Sequence, residues 1–228
     1  MTVVLLDEAA VQDTYWPRVR TAVVDGFVIS FGDRLTESAN RAALAFRSAV
    51  DMADLMGVEE TSTSLVSAYV RVDPLGIDHA EIRSALDALL KERDWYSAAL
   101  PDGRRLWRVP TAFGGDAAPQ LAEMAAAARL SEAEAIQSIC GQQVRVQTIG
   151  FAPGGLCVAI RQLVLFPVAT PTGWRQIGQT ALRLFQPEQS TPCLLRPGDE
   201  VRFDAVSADI LAVLRDVPNG GATSEPLS

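Results

Sequence analysis

Histidine and lysine are almost missing from this sequence of 228 residues, which contains one of each, His79 and Lys91. Three cysteines are present, and no two of them form a C-x-x-C pair. A zinc site of ordinary ligand spacing would need residues that this chain does not have. Catalysis by a histidine-assisted nucleophile would depend on His79 alone. We therefore predict neither a metal nor a covalently bound cofactor.

Long apolar runs are also missing, although 48% of the residues are hydrophobic. No run approaches the roughly 20 residues that cross a bilayer, and the opening residues MTVVLLDEAA lack the basic start of a secretory signal. Because the net charge is −8 and the isoelectric point about 4.7, broad contact with nucleic acid or anionic membrane is disfavoured. These features predict a cytoplasmic protein with no nucleic-acid or membrane partner.

The first half of the chain alternates strand and helix patterns. Residues 22–31 are typical of one or two short strands, and residues 64–72 of another strand. Thr36 and Asp78 are candidate N-caps, each followed by apolar residues at helical spacing. The order predicts a ferredoxin-like α+β domain over residues 18–96.

The second half changes from helical periodicity to short β-rich runs. Ser131 and Glu134 form a capping-box pattern at the start of a helix. After Gly141, five short β-rich runs are separated by glycine and proline, which is typical of a β-barrel or sandwich. We predict a polar boundary near residues 97–108, a barrel domain over 106–207 and a disordered tail over 217–228.

A series of short motifs in this second region occurs in a fixed order. In chain order they are Phe113-Gly114-Gly115, Pro119-Gln120-Leu121, Gly150 to Gly154, Ala169 to Gly178, and Leu195-Arg196-Pro197-Gly198-Asp199. The series resembles the KipI family, which comprises the B subunit of 5-oxoprolinase, allophanate hydrolase subunit 1 and the matching part of urea amidolyase carboxyltransferase domains. The resemblance implies a C-terminal cyclophilin-like barrel behind an N-terminal α+β domain, and a KipA-like second subunit as partner.

Several positions depart from the pattern of that family. Gln120 stands where relatives usually have an acid, and Ile139 where they usually have a histidine. After Gly155 a family stretch is missing, and Arg161 to Val164 replace a glycine-rich turn. The glycines and prolines that shape the turns remain. We therefore expect the family's fold with a pocket that has shorter loops and a more apolar lining than is usual in the family.

Polar residues that alternate with apolar ones on the barrel strands are the candidate site. Arginine and amide side chains turned inward would hold a carbonyl or carboxylate by hydrogen bonds, whereas the alternative is that they face solvent. The candidate catalytic residues are Arg145, Gln147, Arg161 and Gln176. The candidate substrate-binding residues are Phe151, Cys157, Gln162, Trp174 and Gln179.

Three functions remain open on this sequence. The first is a repurposed enzyme without a cofactor, acting alone or as a homodimer on an apolar small molecule by cyclisation, elimination or rearrangement. The second is a subunit of a two-component, ATP-dependent amidohydrolase of the 5-oxoprolinase or allophanate type. The third is a non-catalytic protein that regulates a kinase.

Overall fold

The computed structural model describes residues 2–4, 16–149, 155–159, 162–166 and 175–227, with the backbone alone at 2–4, 155–159, 162 and 166. The chain divides into two compact units. The N-terminal unit is Leu6–Asp102, and the barrel unit is Gly103–Ser228 together with Met1–Leu5. The first strand therefore belongs to the barrel unit, which the weak pattern of the opening residues did not indicate.

The elements follow one another in chain order. The strands are β1 Thr2–Val4, β2 Arg18–Ala22, β3 Gly26–Ser30, β4 Val58–Ser64, β5 Ser67–Val72, β6 Arg105–Ala112, β7 Val144–Thr148, β8 Gly155–Ala159, β9 Gln162–Phe166, β10 Arg175–Thr180, β11 Glu200–Val206 and β12 Thr223–Pro226. The α-helices are α1 Glu37–Ala53, α2 His79–Leu90, α3 Leu121–Ala127, α4 Glu132–Cys140 and α5 Ala208–Leu214. Short 3₁₀ turns cover Trp95–Ser97, Gly115–Ala117 and Pro218–Gly221. None of the described helices is both long and apolar enough to span a bilayer.

Helices α1 and α2 begin at the predicted caps. The hydroxyl of Thr36 accepts from the Ala39 N–H at 3.2 Å, and the carboxylate of Asp78 accepts from the Ala80 N–H at 2.6 Å. In the second region the capping box of α4 is also present, because the Ser131 N–H donates to Glu134 at 2.8 Å. These hydrogen bonds satisfy N–H groups that a helix leaves unpaired at its start.

The N-terminal unit has a four-stranded antiparallel sheet in the order β2-β3-β5-β4. Because β5 lies between β3 and β4, the path β3-α1-β4 is the split βαβ unit of the ferredoxin-like fold. Both α1 and α2 pack on the sheet, and the core includes Phe27, Ile29 and Phe46. The predicted strands at 22–31 and 64–72 are in fact parts of two hairpins, β2–β3 and β4–β5.

Seven of the described strands of the barrel unit form a closed sheet in the order β6-β11-β7-β1-β9-β8-β10, in which β10 pairs with β6. The pair β6–β11 is parallel and the others are antiparallel. Buried apolar side chains, including Val109, Leu165 and Phe203, fill the interior. The α+β fold class with a second, barrel-shaped region is confirmed.

The prediction that residues 217–228 form a disordered tail is wrong for most of this segment. After the 3₁₀ turn at 218–221, strand β12 pairs with β6 from Thr223↔Arg108 to Pro226↔Arg105. The polar composition of the segment suggested disorder. An edge strand with exposed side chains needs only backbone pairing, however, so polar residues are compatible with it.

Candidate functional site

A pair of glycines follows the end of strand β6 and forms a turn at one corner of the barrel. Gly114 has φ +102° and Gly115 has φ +53°, both in the region that favours glycine. A Cβ atom added at either position would meet no other atom within 4 Å. The backbone of this turn can therefore be approached closely from outside. We call residues 113–120 the diglycine corner.

Two glutamines fasten the diglycine corner to strand β10. The Gln176 N–H donates to Oε1 of Gln120 at 2.7 Å, and the Gln120 N–H donates to the carbonyl of Gln176 at 3.1 Å. The side-chain amide of Gln176 also donates to the carbonyl of Ala117 at 3.2 Å. Three hydrogen bonds thus hold this turn in one position, which is the kind of preorganisation that a binding site needs.

The same contacts change the interpretation of Gln120. The sequence suggested a lost acid at this position, whereas its Oε1 accepts a backbone N–H as a carboxylate oxygen would. The replacement removes a negative charge but keeps a hydrogen-bond acceptor. The scaffold of the corner is therefore intact despite the departure.

The predicted catalytic residues do not form one described group. Gln176 lies on β10 together with the predicted substrate-binding residue Gln179, which is paired with Ala112 just before the diglycine corner. Arg145, which is half-buried, and Gln147, which is 1% exposed, lie on β7. Strands β11 and β6 separate β7 from β10 on one side of the barrel, and β1, β9 and β8 on the other.

The remaining predicted positions are described in part or lie outside the described residues. Phe151, Arg161 and Trp174 fall outside them. For Cys157 and Gln162 the backbone alone is described. Cys157 on β8 is the register partner of Gln176, and Gln162 begins β9. The roles assigned to these five residues remain predictions.

Sequence reasoning missed a buried ion pair at the other end of β6. Asp199 is 1% exposed and accepts from Nη2 of Arg105 at 2.7 Å, from the Trp107 indole at 3.3 Å and from the Arg196 N–H at 3.0 Å. The Arg105 guanidinium also lies 4.9 Å from the centre of the Trp107 ring. The motif at 195–199 stands out in the sequence, but nothing local in it identifies Arg105 as the partner.

This ion pair does not belong to the diglycine corner. Ala112 lies seven residues after Arg105 along the extended strand β6, a span of about 23 Å at the usual rise per residue. The Asp199 carboxylate therefore fixes the 195–199 turn to Arg105 at the start of β6, and the backbone carbonyl of Asp199, which accepts from the Val146 N–H at 2.7 Å, fixes the same turn to β7. Its role is to shape the barrel.

Other titratable groups lie away from the corner or exposed upon it. His79 opens α2 in the N-terminal unit, with its ring centre 5.2 Å from that of Phe27. Burial raises the pKa of the Cys140 thiol on α4. Asp116 is an exposed carboxylate within the corner. Among the described residues, no group of three or more His, Cys, Asp or Glu is placed to hold a metal ion.

A match to a family model supports the resemblance that the order of the motifs suggested. The model described as carboxyltransferase domain, subdomain C and D, matches residues 17–158 and 154–195. The two matched ranges include most of the N-terminal unit and the part of the barrel unit up to residue 195, with the diglycine corner.

Two curated relatives are similar over large parts of the chain. The B subunit of 5-oxoprolinase from Escherichia coli O157:H7 is 33% identical over 147 residues, covering 52% of this chain and 67% of the relative. The B subunit of 5-oxoprolinase from Bacillus subtilis strain 168 is 27% identical over 213 residues, covering 79% of this chain and 89% of the relative.

A solved structure has a similar fold over both units of the chain. The urea amidolyase of Kluyveromyces lactis has a TM-score of 0.67 and 15% identity over 98% of this chain. At that identity the likeness concerns the fold alone. The match covers 17% of the urea amidolyase chain, so this protein corresponds to a small part of that enzyme.

Proposed function

The chain belongs to the family of carboxyltransferase-domain subdomains C and D that includes the B subunit of 5-oxoprolinase, and from that membership we propose that it is one subunit of a two-component, ATP-dependent amidohydrolase of the 5-oxoprolinase type. The observation that carries this proposal is the match to the Bacillus subtilis protein, which spans 79% of this chain and 89% of the relative. The second component is a companion subunit, which this chain needs for activity.

The diglycine corner supports a role in binding the carbonyl of the substrate. Its backbone is accessible at Gly114 and Gly115, where no side chain stands in front of the turn, so a carbonyl oxygen could approach the backbone N–H groups there. Donors of this kind stabilise the negative charge that develops on a carbonyl oxygen when an amide is attacked. In this proposal Gln176 is a positioning residue, because its hydrogen bonds hold the turn. Gln179, which pairs with Ala112 just before the corner, is the candidate contact for the substrate on β10.

The same proposal assigns no chemical step to the other predicted catalytic residues. Arg145 and Gln147 lie on β7, and Arg161 is outside the described residues. The comparisons favour the two-component reading over the repurposed enzyme, since both curated relatives are named as 5-oxoprolinase subunits. An apolar pocket for a biosynthetic cyclisation and the regulation of a kinase gain no support from these relatives.

Reconstitution tests the proposal directly. The purified chain, a purified KipA-like companion subunit, and their mixture are each given 5-oxoproline and ATP, and glutamate and ADP are measured. We expect both products from the mixture and neither from the separate subunits. Binding of the two proteins without ATP-dependent opening of 5-oxoproline would contradict the assignment.

The diglycine corner is tested by a pair of glycine variants. Gly114→Ala displaces a backbone with φ +102°, and we expect kcat/KM of the reconstituted enzyme to fall at least about tenfold, because small shifts of positioning groups are costly. Gly103→Ala is the matched control, since Gly103 also has a positive φ, +73°, and open space around its Cβ position. Equal losses of activity in the two variants would exclude a special role for the corner.

A further inference from the structure

Exposed apolar side chains gather at one end of the N-terminal unit. Among the described residues of this unit, the large apolar side chains that are well exposed all lie in the β2–β3 turn, at the end of α1 and in the two loops beside them. Their exposed fractions reach 97% at Leu75 and 80% at Met56 and Val23. The full set, which we call the apolar tip, is Val23, Val24, Met52, Met56 and Leu75.

Hydrogen bonds join the three loops of the apolar tip. The Val72 N–H donates to the carbonyl of Asp25 at 2.8 Å, which ties the β2–β3 turn to the end of β5. The Asp73 N–H donates to the carbonyl of Gly57 at 2.9 Å, which ties the same end to the loop after α1. The carboxylate of Asp73 accepts from the Leu75 N–H at 3.0 Å. The loops therefore present one built surface.

The backbone conformation of Val23 lowers the stability of the folded N-terminal unit. Ala22 pairs with Gly26, so the turn has three residues, and Val23 adopts φ +51°. Hairpin turns with positive φ favour glycine, asparagine or aspartate, and a β-branched residue there is an outlier. A strained and exposed valine contributes little to the stability of the fold. Its presence at this position would be explained by an apolar contact with another protein.

The charges of the apolar tip indicate which protein covers it. The loops 23–25, 54–57 and 73–77 contain Asp25, Asp54 and Asp73 and no basic residue. A second copy of this chain, docked by the same surface, would place acid against acid, and the chain already carries a net charge of −8. A basic rim around an apolar surface would complement these loops.

We infer that the apolar tip is the docking surface for the companion subunit, which presents an apolar patch rimmed by lysine or arginine. This inference rests on the proposed two-component function. Exposed methionines suit such a contact because they adapt their shape to a partner. Association should weaken with added salt, since the three aspartates contribute to it.

Binding of the companion subunit to single variants tests the docking surface. We expect Leu75→Asp and Met56→Asp to raise the Kd at least about tenfold, as truncation of central interface residues does. Val213→Asp is the control, because Val213 is an apolar side chain of α5, 69% exposed, in the barrel unit. It should leave the Kd within about twofold, and all three variants should keep the unfolding temperature, since surface changes cost little.

The substitution Val23→Asn separates docking from folding. Asparagine tolerates a positive φ better than valine does, so the unfolding temperature of the N-terminal unit should rise by about 4–8 °C. The same variant should bind the companion subunit more weakly. A purely structural role for Val23 predicts a rise in the unfolding temperature with unchanged binding, which would count against the docking surface.

The outcomes distinguish this inference from the proposed function. Unchanged Kd in Leu75→Asp, with reconstituted activity intact, overturns the docking surface and leaves the function standing. Loss of binding in Leu75→Asp, when the wild-type complex does not open 5-oxoproline, supports the docking surface and overturns the function. If the wild-type chain does not bind the companion subunit, both the docking surface and the proposed function are overturned. If the wild-type chain self-associates and Leu75→Asp abolishes this, the inference is also overturned, because the apolar tip then binds a second copy of the chain.

Discussion

The N-terminal unit and the barrel unit bury polar side chains to different extents. Among the described residues of the N-terminal unit, Asn40 is the one fully buried polar side chain, and it donates to the carbonyl of Leu65. The described residues of the barrel unit include a larger set of buried polar side chains, which consists of Thr111, Gln147, Thr148 and Asp199. Apolar contacts are non-directional, whereas a buried polar group depends on particular partners.

This difference indicates where each unit is sensitive to substitution. The N-terminal unit distributes its stability over many apolar side chains, such as Phe27, Phe46 and Leu86. The barrel unit depends in addition on a few contacts between residues distant in sequence, among them Arg105 with Asp199. The expected effects of substitution therefore decrease from the barrel unit to the N-terminal unit.

The largest effect is expected at Asp199. Replacement by asparagine leaves the guanidinium of Arg105 without its carboxylate, and the free energy of unfolding of the barrel unit should fall by about 3–5 kcal/mol. Hydrogen exchange resolved by segment can measure the loss in each unit separately. Protection of β6 and β7 should fall while that of α1 stays.

An exposed ion pair supplies the control for Asp199. Asp204 accepts from Arg108 at 2.9 Å, but both side chains are partly exposed. Exposed pairs of this kind contribute little to stability, so Asp204→Asn should leave the protection nearly unchanged. An equal fall in both units after Asp199→Asn would show that the two units unfold together, and the comparison between them would lose its meaning.

The next largest effect is expected at Gly220, within the segment that the sequence predicted to be disordered. Its φ is +61°, and an added Cβ would lie 2.3 Å from the backbone of Ala181. Gly220→Ala should therefore cost about 2–3 kcal/mol, because the new atom meets backbone that cannot move aside cheaply. Chemical denaturation measures this cost, with Gly103→Ala, which meets no atom, as the control. A cost no greater than that of the control would mean that the C-terminal segment does not pack as described.

Local signals predicted the helices, and distant contacts explain what the sequence did not predict. Thr36, Asp78 and Ser131 each mark a helix within four residues of chain, so those helix starts could be predicted directly. The β2–β3 hairpin was less clear, since Val23 and Val24 occupy a turn that usually carries glycine or asparagine. Strand β12 pairs with β6, more than a hundred residues earlier, and no local pattern marks that pairing.

The candidate site was predictable to a similar degree. Gly114 and Gly115 could be singled out because paired glycines after a strand indicate a special turn. The role of Gln120 could not, because its partner, Gln176, is 56 residues away. Alternation along β7 suggested Arg145 and Gln147 as site residues, but periodicity gives the face of a strand and not its neighbours across the barrel.

The smallest effect is expected in the N-terminal unit, at the hydrogen bond from the Tyr96 hydroxyl to the carbonyl of Phe31, 2.9 Å. Tyr96→Phe should cost about 1 kcal/mol in this unit alone. Burial, with a further contribution from Asp94, raises the pKa of Tyr96 to about 12, so the folded tyrosine keeps its proton after the unfolded one ionises near pH 10. The wild-type unit should therefore lose stability as the pH rises from about 10 to 12, and Tyr96→Phe should remove that loss. Denaturation at pH 8, 10 and 11 measures it, with Tyr69→Phe as a control that keeps the loss. A pH dependence that survives Tyr96→Phe would assign the alkaline sensitivity to another group.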